Sequence, residues 1–263
     1  MDLRDTGVAA SSDARFELKA VPILVAVLLG LGVIALSAIT IDIAEHFFHL
    51  VDRPEMRWID EGYVELVQLV YAYIAIRWMR RIYPGDYGLR WPEGKSYLGQ
   101  ALLWGLLFGA VATLVDYAPL LIAHHAPSQP YGLNPLNITG WLTFDGIISS
   151  TSDETLLRGL IVTYLAMAMP GRVSFRGYEM NGAGVVVAVL YALAHIGNFI
   201  FGVPFLIAFG QMVYFLVQGI LLAYWLEKSG SLLAPIVSHG VTNVVERICL
   251  FAMVAAWSPP HVF

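Results

Sequence analysis

Three charged side chains lie close together within an apolar run of about residues 138–169, in the sequence SDETLLRG. They are Asp153, Glu154 and Arg158. A charge at the centre of a bilayer costs about 2.5–3.5 kcal/mol on insertion scales, so we expect these side chains to face protein or a water-filled cavity. At helical spacing Glu154 and Arg158 share one face and can form an ion pair, while Asp153 lies on the neighbouring face.

The position of Asp153 makes it the better candidate for a base. A carboxylate held by an arginine is a weaker base, so Glu154 suits an orienting role and Asp153 suits the acceptance of a proton from water. Asp145 and Ser149 precede Asp153 at intervals of four residues, and the three are expected to form one stripe. The alternative interpretation of this cluster is a buried ion pair that fixes helix packing.

Two further segments place polar side chains four residues apart within apolar runs. YALAH contains Tyr191 and His195, and HGVTN contains His239 and Asn243. A single histidine of this kind is often a satisfied core residue. Acids, an arginine, histidines and an asparagine on three helices together supply a base, a proton carrier and donors for an oxyanion, which suits attack of an activated water on an amide carbonyl. Three other polar residues are interpreted as simple contacts between helices: Glu65, Gln211 and Gln218.

These motifs resemble those of the CAAX protease and bacteriocin-processing (CPBP) family of intramembrane proteases, also called the Abi family. That family shows E-E-x-x-x-R, F-x-x-x-H and H-x-x-x-N, each on a membrane helix. Here they are DETLLR, YALAH and HGVTN, and the resemblance covers about residues 138–245. The chain has Asp153 where the family has its leading Glu, and Tyr191 where it has Phe. With the shorter Asp153, either the backbone compensates, or Glu154 becomes the base, or the protein is inactive.

The resemblance implies six site residues and no cofactor. By position, Asp153 and His195 would activate the water, the second histidine and the asparagine would bind the oxyanion, and the Glu–Arg pair would support them. The six residues are Asp153, Glu154, Arg158, His195, His239 and Asn243. A zinc metalloprotease is the alternative enzyme, with Zn²⁺ held by Glu154, His195 and His239, because three protein ligands and a water complete a catalytic zinc site.

The composition indicates a membrane protein. Hydrophobic residues make up 58% of the 263 residues and charged residues 13%, whereas soluble domains carry about 25% charged residues. The basic residues are scattered, which argues against nucleic-acid binding. Cys249 is the only cysteine, so the chain forms no intramolecular disulfide. We predict one all-α domain over residues 1–263, with no large soluble part.

Seven apolar runs predict a polytopic bundle of about seven transmembrane helices. They cover about residues 21–41, 62–79, 97–122, 138–169, 183–199, 203–226 and 231–257. An interfacial segment, residues 42–61 with His46 and His49, is predicted after the first helix. Basic residues concentrate in the N-terminal segment 1–20 and in the second and fourth loops, so that side is predicted to be cytoplasmic and the C-terminus external.

The predicted function is that of an intramembrane endopeptidase of a bacterial cytoplasmic membrane. It would hydrolyse a peptide bond of a membrane-anchored protein or peptide precursor, with the lipid bilayer as its other partner and no oligomeric state assigned. A different class of function is a non-catalytic immunity or scaffold protein of the same fold, which the shorter acid Asp153 favours. A transporter is less favoured, because the sequence shows no repeated broken helices.

Overall fold

The computed structural model describes residues 15–48, 56–129, 131–175, 177–200 and 203–257. Predictions that concern residues 1–14, His49 and the C-terminus at Phe263 lie outside these residues. Within the described part, the chain folds into helices joined by short segments and a single two-stranded hairpin. The predicted all-α class is therefore confirmed, with the hairpin as a small addition.

Seven helices form the bundle in the described part of the chain. They are α1 (Ala20–Phe48), α2 (Arg57–Met79), α3 (Leu98–Ile122), α4 (residues 135–168), α5 (Gly182–Ala194), α6 (Phe205–Ser229) and α7 (Leu233–Trp257). Strands β1 (Arg172–Phe175) and β2 (Tyr178–Asn181) pair antiparallel between α4 and α5, with Arg172 opposite Asn181. A short helical turn, Gly197–Ile200, lies between α5 and α6.

Four of these helices, α1, α3, α6 and α7, are long and apolar enough to cross a membrane. Apolar side chains on α1 remain exposed outside the bundle, for example Leu28 (59%) and Leu31 (57%). Such exposure is expected where lipid covers the surface. The helix α5, Gly182–Ala194, would be about 20 Å long, shorter than the roughly 30 Å core of a bilayer. The chain is an integral membrane protein on these grounds.

Helix α4 is continuous but contains two π-helical parts. Its α-helical parts are Pro135–Thr143, Ser150–Glu154 and Thr163–Ala168, and its π-helical parts are Phe144–Ser149 and Thr155–Val162. The Asn134 side chain accepts a hydrogen bond from the Asn137 backbone N–H at 2.9 Å, and Pro135 occupies the first turn, so the start is capped as sequence rules expect. Wide π turns are frequent at functional sites, and here they flank the acidic pair.

Small residues bring the helices close together. On α3, a Cβ added at Gly105 would lie 2.8 Å from the Ser238 carbonyl oxygen, and one at Gly109 would lie 2.5 Å from Val245 Cβ. The two glycines are four residues apart, the spacing of small residues at tight membrane helix contacts. On α7, a Cβ at Gly240 would overlap the Gly146 carbonyl of α4. Helix α7 is therefore held against both α3 and α4.

Two predicted boundaries were wrong. The fifth helix was expected to reach residue 199, but α5 ends at Ala194 and His195 follows it in a turn. The first helix was expected to end near residue 41, but α1 continues to Phe48, so His46 lies in its last turn. The interfacial position of residues 42–61 stays a prediction. Apolar content alone does not show where a helix stops when no proline or glycine interrupts it nearby.

Candidate active site

Glu154 is the centre of a buried triad with Arg158 and His239. Its Oε1 accepts a hydrogen bond from Arg158 Nη1 at 3.0 Å and contacts His239 Nδ1 at 2.9 Å. Glu154 is fully buried and Arg158 is 2% exposed. The ion pair predicted from the four-residue spacing of Glu154 and Arg158 is present. A buried pair of this kind is costly to break, because the remaining charge has no partner and no water.

His239 is oriented by this triad. A carboxylate only accepts hydrogen bonds, so Nδ1 of His239 carries the hydrogen and donates it to Glu154. Nε2 is then the ring nitrogen left to contact a substrate. The close approach of Gly240 on α7 to Gly146 on α4 sets the position of this histidine relative to the acids.

A cavity of about 180 Å³ lies beside the triad. It is large enough for several waters, since one water needs about 10–15 Å³ of such volume. Its walls come from α3, α4, α5, α6 and α7. The polar residues in these walls are Asp116, Ser149, Asp153, Tyr191, Gln211, Tyr214, His239, Asn243 and Glu246.

Three of the six predicted site residues line this cavity: Asp153, His239 and Asn243. Asn243 Nδ2 is 3.5 Å from the Asp145 carbonyl oxygen, so its amide makes only a long contact with α4. Glu154 and Arg158 are not among the lining residues, because the Glu154 carboxylate is fully buried between Arg158 and His239. Their assignment as site residues stays a prediction.

His195 is also not among the residues that line the cavity. His195 Nδ1 is 2.8 Å from the Tyr191 carbonyl oxygen, and this contact links the His195 ring to the last turn of α5. Its ring stacks on Phe215, with centroids 3.9 Å apart, and Phe215 does line the cavity. The residue follows the last turn of α5 and packs against an aromatic ring. Its assignment as a site residue stays a prediction.

Asp153 receives its hydrogen bond from a different helix. Gln68 Nε2 on α2 lies 3.3 Å from Asp153 Oδ1, and also 3.0 Å from Ser152 Oγ and 3.2 Å from Glu65 Oε2. Glu65 was interpreted as a simple helix contact, but it lies beside the leading acid. The signal in the sequence was the pair Glu65 and Gln68, three residues apart and therefore on one face of an apolar helix.

Asp145 belongs to a separate cluster. Its two carboxylate oxygens accept hydrogen bonds from Arg247 at 2.6 and 3.2 Å. Arg247 also donates to the Tyr131 hydroxyl at 3.1 Å and lies over the Trp141 ring, 4.2 Å from its centroid. The expected stripe from Asp145 to Asp153 is thus interrupted, because the π-helical turns Phe144–Ser149 change the angle between successive turns.

A second polar group lies in the same cavity and was not predicted as a group. Gln211 Nε2 on α6 donates to Asp116 Oδ1 on α3 at 2.8 Å, and the Asp116 carboxyl group lies beside that of Glu246 on α7. Gln211 was interpreted as a contact between helices. It does join α6 to α3 through Asp116, and both side chains line the cavity. No motif in the sequence connects these residues, so only the packing of α3, α6 and α7 shows the group.

The alternative zinc site requires Glu154, His195 and His239 to converge. In the described part of the chain, no three His, Cys, Asp or Glu side chains are grouped as they would be around a metal ion. Glu154 Oε1 already contacts both Arg158 and His239, and His195 packs against Phe215. This donor set does not fit the ion in the arrangement described, and the zinc alternative stays a prediction for a metal assay.

Comparison with known proteins identifies the central part of the chain. Residues 135–245 match the family described as type II CAAX prenyl endopeptidase Rce1-like. The match begins at the first residue of α4 and ends within α7, so it includes all three motifs. A search among curated proteins found no match, and a search among solved structures found none either.

This family is the CPBP family, and its members are proteases. The match therefore confirms the resemblance that the three motifs suggested. Residues 135–245 of this chain are therefore similar to the Rce1-like proteases of the CPBP family.

Proposed function

We propose that the protein is an intramembrane endopeptidase that hydrolyses a peptide bond of a membrane-anchored protein or peptide precursor. The observation that carries this proposal is the cavity that Asp153, His239 and Asn243 share, with His239 oriented by Glu154. The family match supports the peptidase class. A cavity among apolar helices also suits a substrate that is itself held in the membrane.

In the proposed reaction, Asp153 accepts a proton from water as the water oxygen attacks the scissile carbonyl carbon. The carbonyl electron pair moves to the oxygen, and the oxyanion accepts hydrogen bonds from His239 Nε2–H and Asn243 Nδ2. When the tetrahedral intermediate collapses, the C–N bond breaks and the leaving nitrogen takes the proton from Asp153. Glu154 balances the charge of a doubly protonated His239, and Arg158 fixes Glu154.

His195 is proposed as a second contact for the attacking water. Phe215 covers its ring, so this role requires the Phe215 side chain to turn when a substrate enters. Side-chain rotamer changes of this kind are common when proteins bind a partner. The Nδ1 contact with the Tyr191 carbonyl leaves Nε2 as the nitrogen available to water.

A reconstituted cleavage assay tests the proposed function. The protein in lipid vesicles is given a quenched fluorescent peptide that carries a prenyl or acyl anchor near its cleavable bond. Cleavage is expected from the wild type and from Asp153→Glu, and none above background from Asp153→Asn. If neither wild type nor Asp153→Glu cleaves any anchored or unanchored peptide, the non-catalytic scaffold becomes the better interpretation.

The same assay tests whether the activity requires a bound metal ion. Under the proposed mechanism, activity should be unchanged after treatment with a strong chelator and after removal of any copurified metal. Stoichiometric zinc in the purified protein, with activity lost on its removal and restored by its return, would support the zinc alternative instead.

A further inference from the structure

Gln68 on α2 has three side-chain oxygens within hydrogen-bonding distance of its amide nitrogen. Its Nε2 lies 3.0 Å from Ser152 Oγ, 3.2 Å from Glu65 Oε2 and 3.3 Å from Asp153 Oδ1. Among the side chains that the structure describes, Gln68 is the one that donates to Asp153. Helix α2 is not part of the matched family domain, which begins at residue 135.

We propose that Gln68 is a positioning residue for the leading acid Asp153, and that Glu65 in turn orients Gln68. This inference rests on the proposed function, because it assigns Asp153 the role of base. The hydrogen bond to Oδ1 fixes the rotation of the carboxylate and leaves Oδ2 as the oxygen that accepts the proton from water. The geometry assigns to α2 a part in catalysis that the three motifs do not contain.

The surrounding oxygens determine how the Gln68 amide is oriented. Only the NH₂ end of the amide can donate, and its two hydrogens suit the two carboxyl groups of Glu65 and Asp153, while the Ser152 hydroxyl can itself donate to Glu65. Glu65 thus holds the NH₂ group on the side that faces α4. Glu65 and Gln68 are three residues apart and share one face of α2, while Leu66 and Val70 on the helix are 48% and 56% exposed.

The shortness of Asp153 gives this contact its importance. An aspartate is one methylene shorter than the glutamate of the family motif, so it reaches less far into the cavity. Its neighbour Glu154 is held by Arg158 and His239, and neither of these contacts extends to Asp153 as a hydrogen bond. A fixed orientation matters for a base, because its oxygen must lie within about 2.6–3.2 Å of the water.

The first test is Gln68→Met, which keeps the length of the side chain and removes the donor. In the reconstituted assay kcat should fall about 10- to 100-fold, the range expected for one lost hydrogen bond to a charged group. KM should stay within about twofold, because the contact acts on the base and not on substrate binding. Gln68→Glu, which replaces the donor with another acceptor at equal size, should lower kcat at least as much.

The second test combines Gln68→Met with Asp153→Glu. The longer side chain restores the family residue and reaches the water with less dependence on a fixed rotamer. The loss in kcat caused by Gln68→Met should therefore be several-fold smaller in the Asp153→Glu background, a coupling that a double-mutant cycle measures. A merely structural role of Gln68 would give the same loss in both backgrounds, and that result would overturn the proposal.

Gln218 on α6 provides the matched control. It is also a buried glutamine, 3% exposed, and donates to Thr242 Oγ1 at 3.2 Å, but it does not line the cavity. Gln218→Met should keep kcat within about twofold of wild type per folded molecule. If Gln68→Met fails to accumulate, Glu65→Gln takes its place, with an expected smaller fall in kcat at unchanged KM; an unchanged kcat would overturn the proposal.

The outcomes separate this inference from the proposed function. If Asp153→Asn is inactive and Gln68→Met has wild-type kcat, only the positioning role is wrong. If Asp153→Asn cleaves at the wild-type rate, Asp153 is not the base and both proposals are wrong. A wild type without peptidase activity would also overturn both.

Discussion

Asp153 and Glu154 are neighbours in sequence with different surroundings in the structure. Glu154 is fully buried and contacts the Arg158 guanidinium and the His239 imidazole. Asp153 lines the cavity and accepts a hydrogen bond from an amide of another helix. A carboxylate that is shared between a guanidinium and an imidazole serves to orient them, whereas one that faces water can take up a proton.

Substitution of the two acids should therefore separate activity from abundance. Asp153→Asn is expected to lower kcat about 10²–10⁴-fold, the usual contribution of a general base, at wild-type abundance. Glu154→Gln should reduce both abundance and activity, because loss of one partner of a buried pair costs about 3–5 kcal/mol. Immunoblots of membranes give the abundance and the vesicle assay gives the rate. Wild-type activity in Asp153→Asn beside a stable but inactive Glu154→Gln would reverse the two roles.

His195 should contribute less than Asp153, because Phe215 lies against its ring. His195→Ala is expected to lower kcat about tenfold, which corresponds to about 1.4 kcal/mol in the transition state. The comparison uses equal amounts of the His195→Ala and Asp153→Asn proteins in the vesicle assay. An equal loss in both variants would show that the reactive arrangement has Phe215 displaced throughout catalysis.

At the scale of the helices, the contact between α3 and α7 positions His239 and Asn243. Helix α3 has no side chain at Gly105 and Gly109, and α7 packs into that space. Close backbone approach is a main source of stability between membrane helices, because lipid offers no hydrophobic driving force. Any side chain at these glycines must push α7 away from α3 and shift both site residues.

Gly109→Ala tests this contact, with Gly99→Ala on the same helix as its control. A Cβ at Gly109 would lie 2.5 Å from Val245 Cβ, whereas a Cβ at Gly99 meets nothing within 4 Å. Overpacking costs about 1–3 kcal/mol, so Gly109→Ala should lower the thermal midpoint in detergent by several degrees and reduce kcat. Gly99→Ala should leave both unchanged or slightly raise the midpoint. Equal midpoints in the two variants would contradict the tight contact.

The elements also show how far sequence reasoning reaches. The charges in DETLLR could be predicted to pair, because Glu154 and Arg158 are four residues apart, and the structure contains this ion pair. The contact of Asp145 with Arg247 could not be predicted, because the π-helical turns after Thr143 alter the faces that a regular helix would present. Sequence patterns follow an ideal 3.6-residue period, and local rewinding is decided by packing against other helices.

The polar partners on other helices were the least predictable part of the site. Asp116, Gln211 and Glu246 are far apart in the chain, and each alone is typical of an ordinary contact between membrane helices. Only the fold shows that they line the cavity of Asp153. The single-domain organisation over residues 1–263 stays a prediction.

At the scale of the whole molecule, several segments meet at one end of the bundle. Arg90, between α2 and α3, donates to the Gly230 carbonyl in the turn between α6 and α7 at 3.1 Å. Arg172 of the hairpin pairs with Glu227 at the end of α6 at 2.8 Å. Tyr87 is fully buried at this end, and burial raises its pKa to about 12, so its phenol stays neutral. The structure thus gathers the second, fourth and sixth connections on one side.

Among the described residues, that end carries most of the basic side chains outside the helices, and residues 123–129 and 131–134 between α3 and α4 lie at the opposite end. Basic loops remain in the cytoplasm in most membrane proteins. We therefore predict that the connection between α2 and α3 is cytoplasmic and that the segment 123–134 is external. The same orientation places the start of α1 in the cytoplasm and the end of α7 outside, because an odd number of helices separates them.

Cysteine labelling in spheroplasts of a bacterial host tests this orientation. In a Cys249→Ser background, which removes the only native cysteine, single cysteines are placed at Trp91, which is 79% exposed, or at His125, which is also exposed. A membrane-impermeant maleimide should label His125→Cys in intact spheroplasts, and should label Trp91→Cys only after permeabilisation. The reverse labelling pattern would contradict this orientation and would place the hairpin end of the bundle outside the cell. Equal labelling of both positions in intact spheroplasts would contradict the separation of the two segments at opposite ends of the bundle.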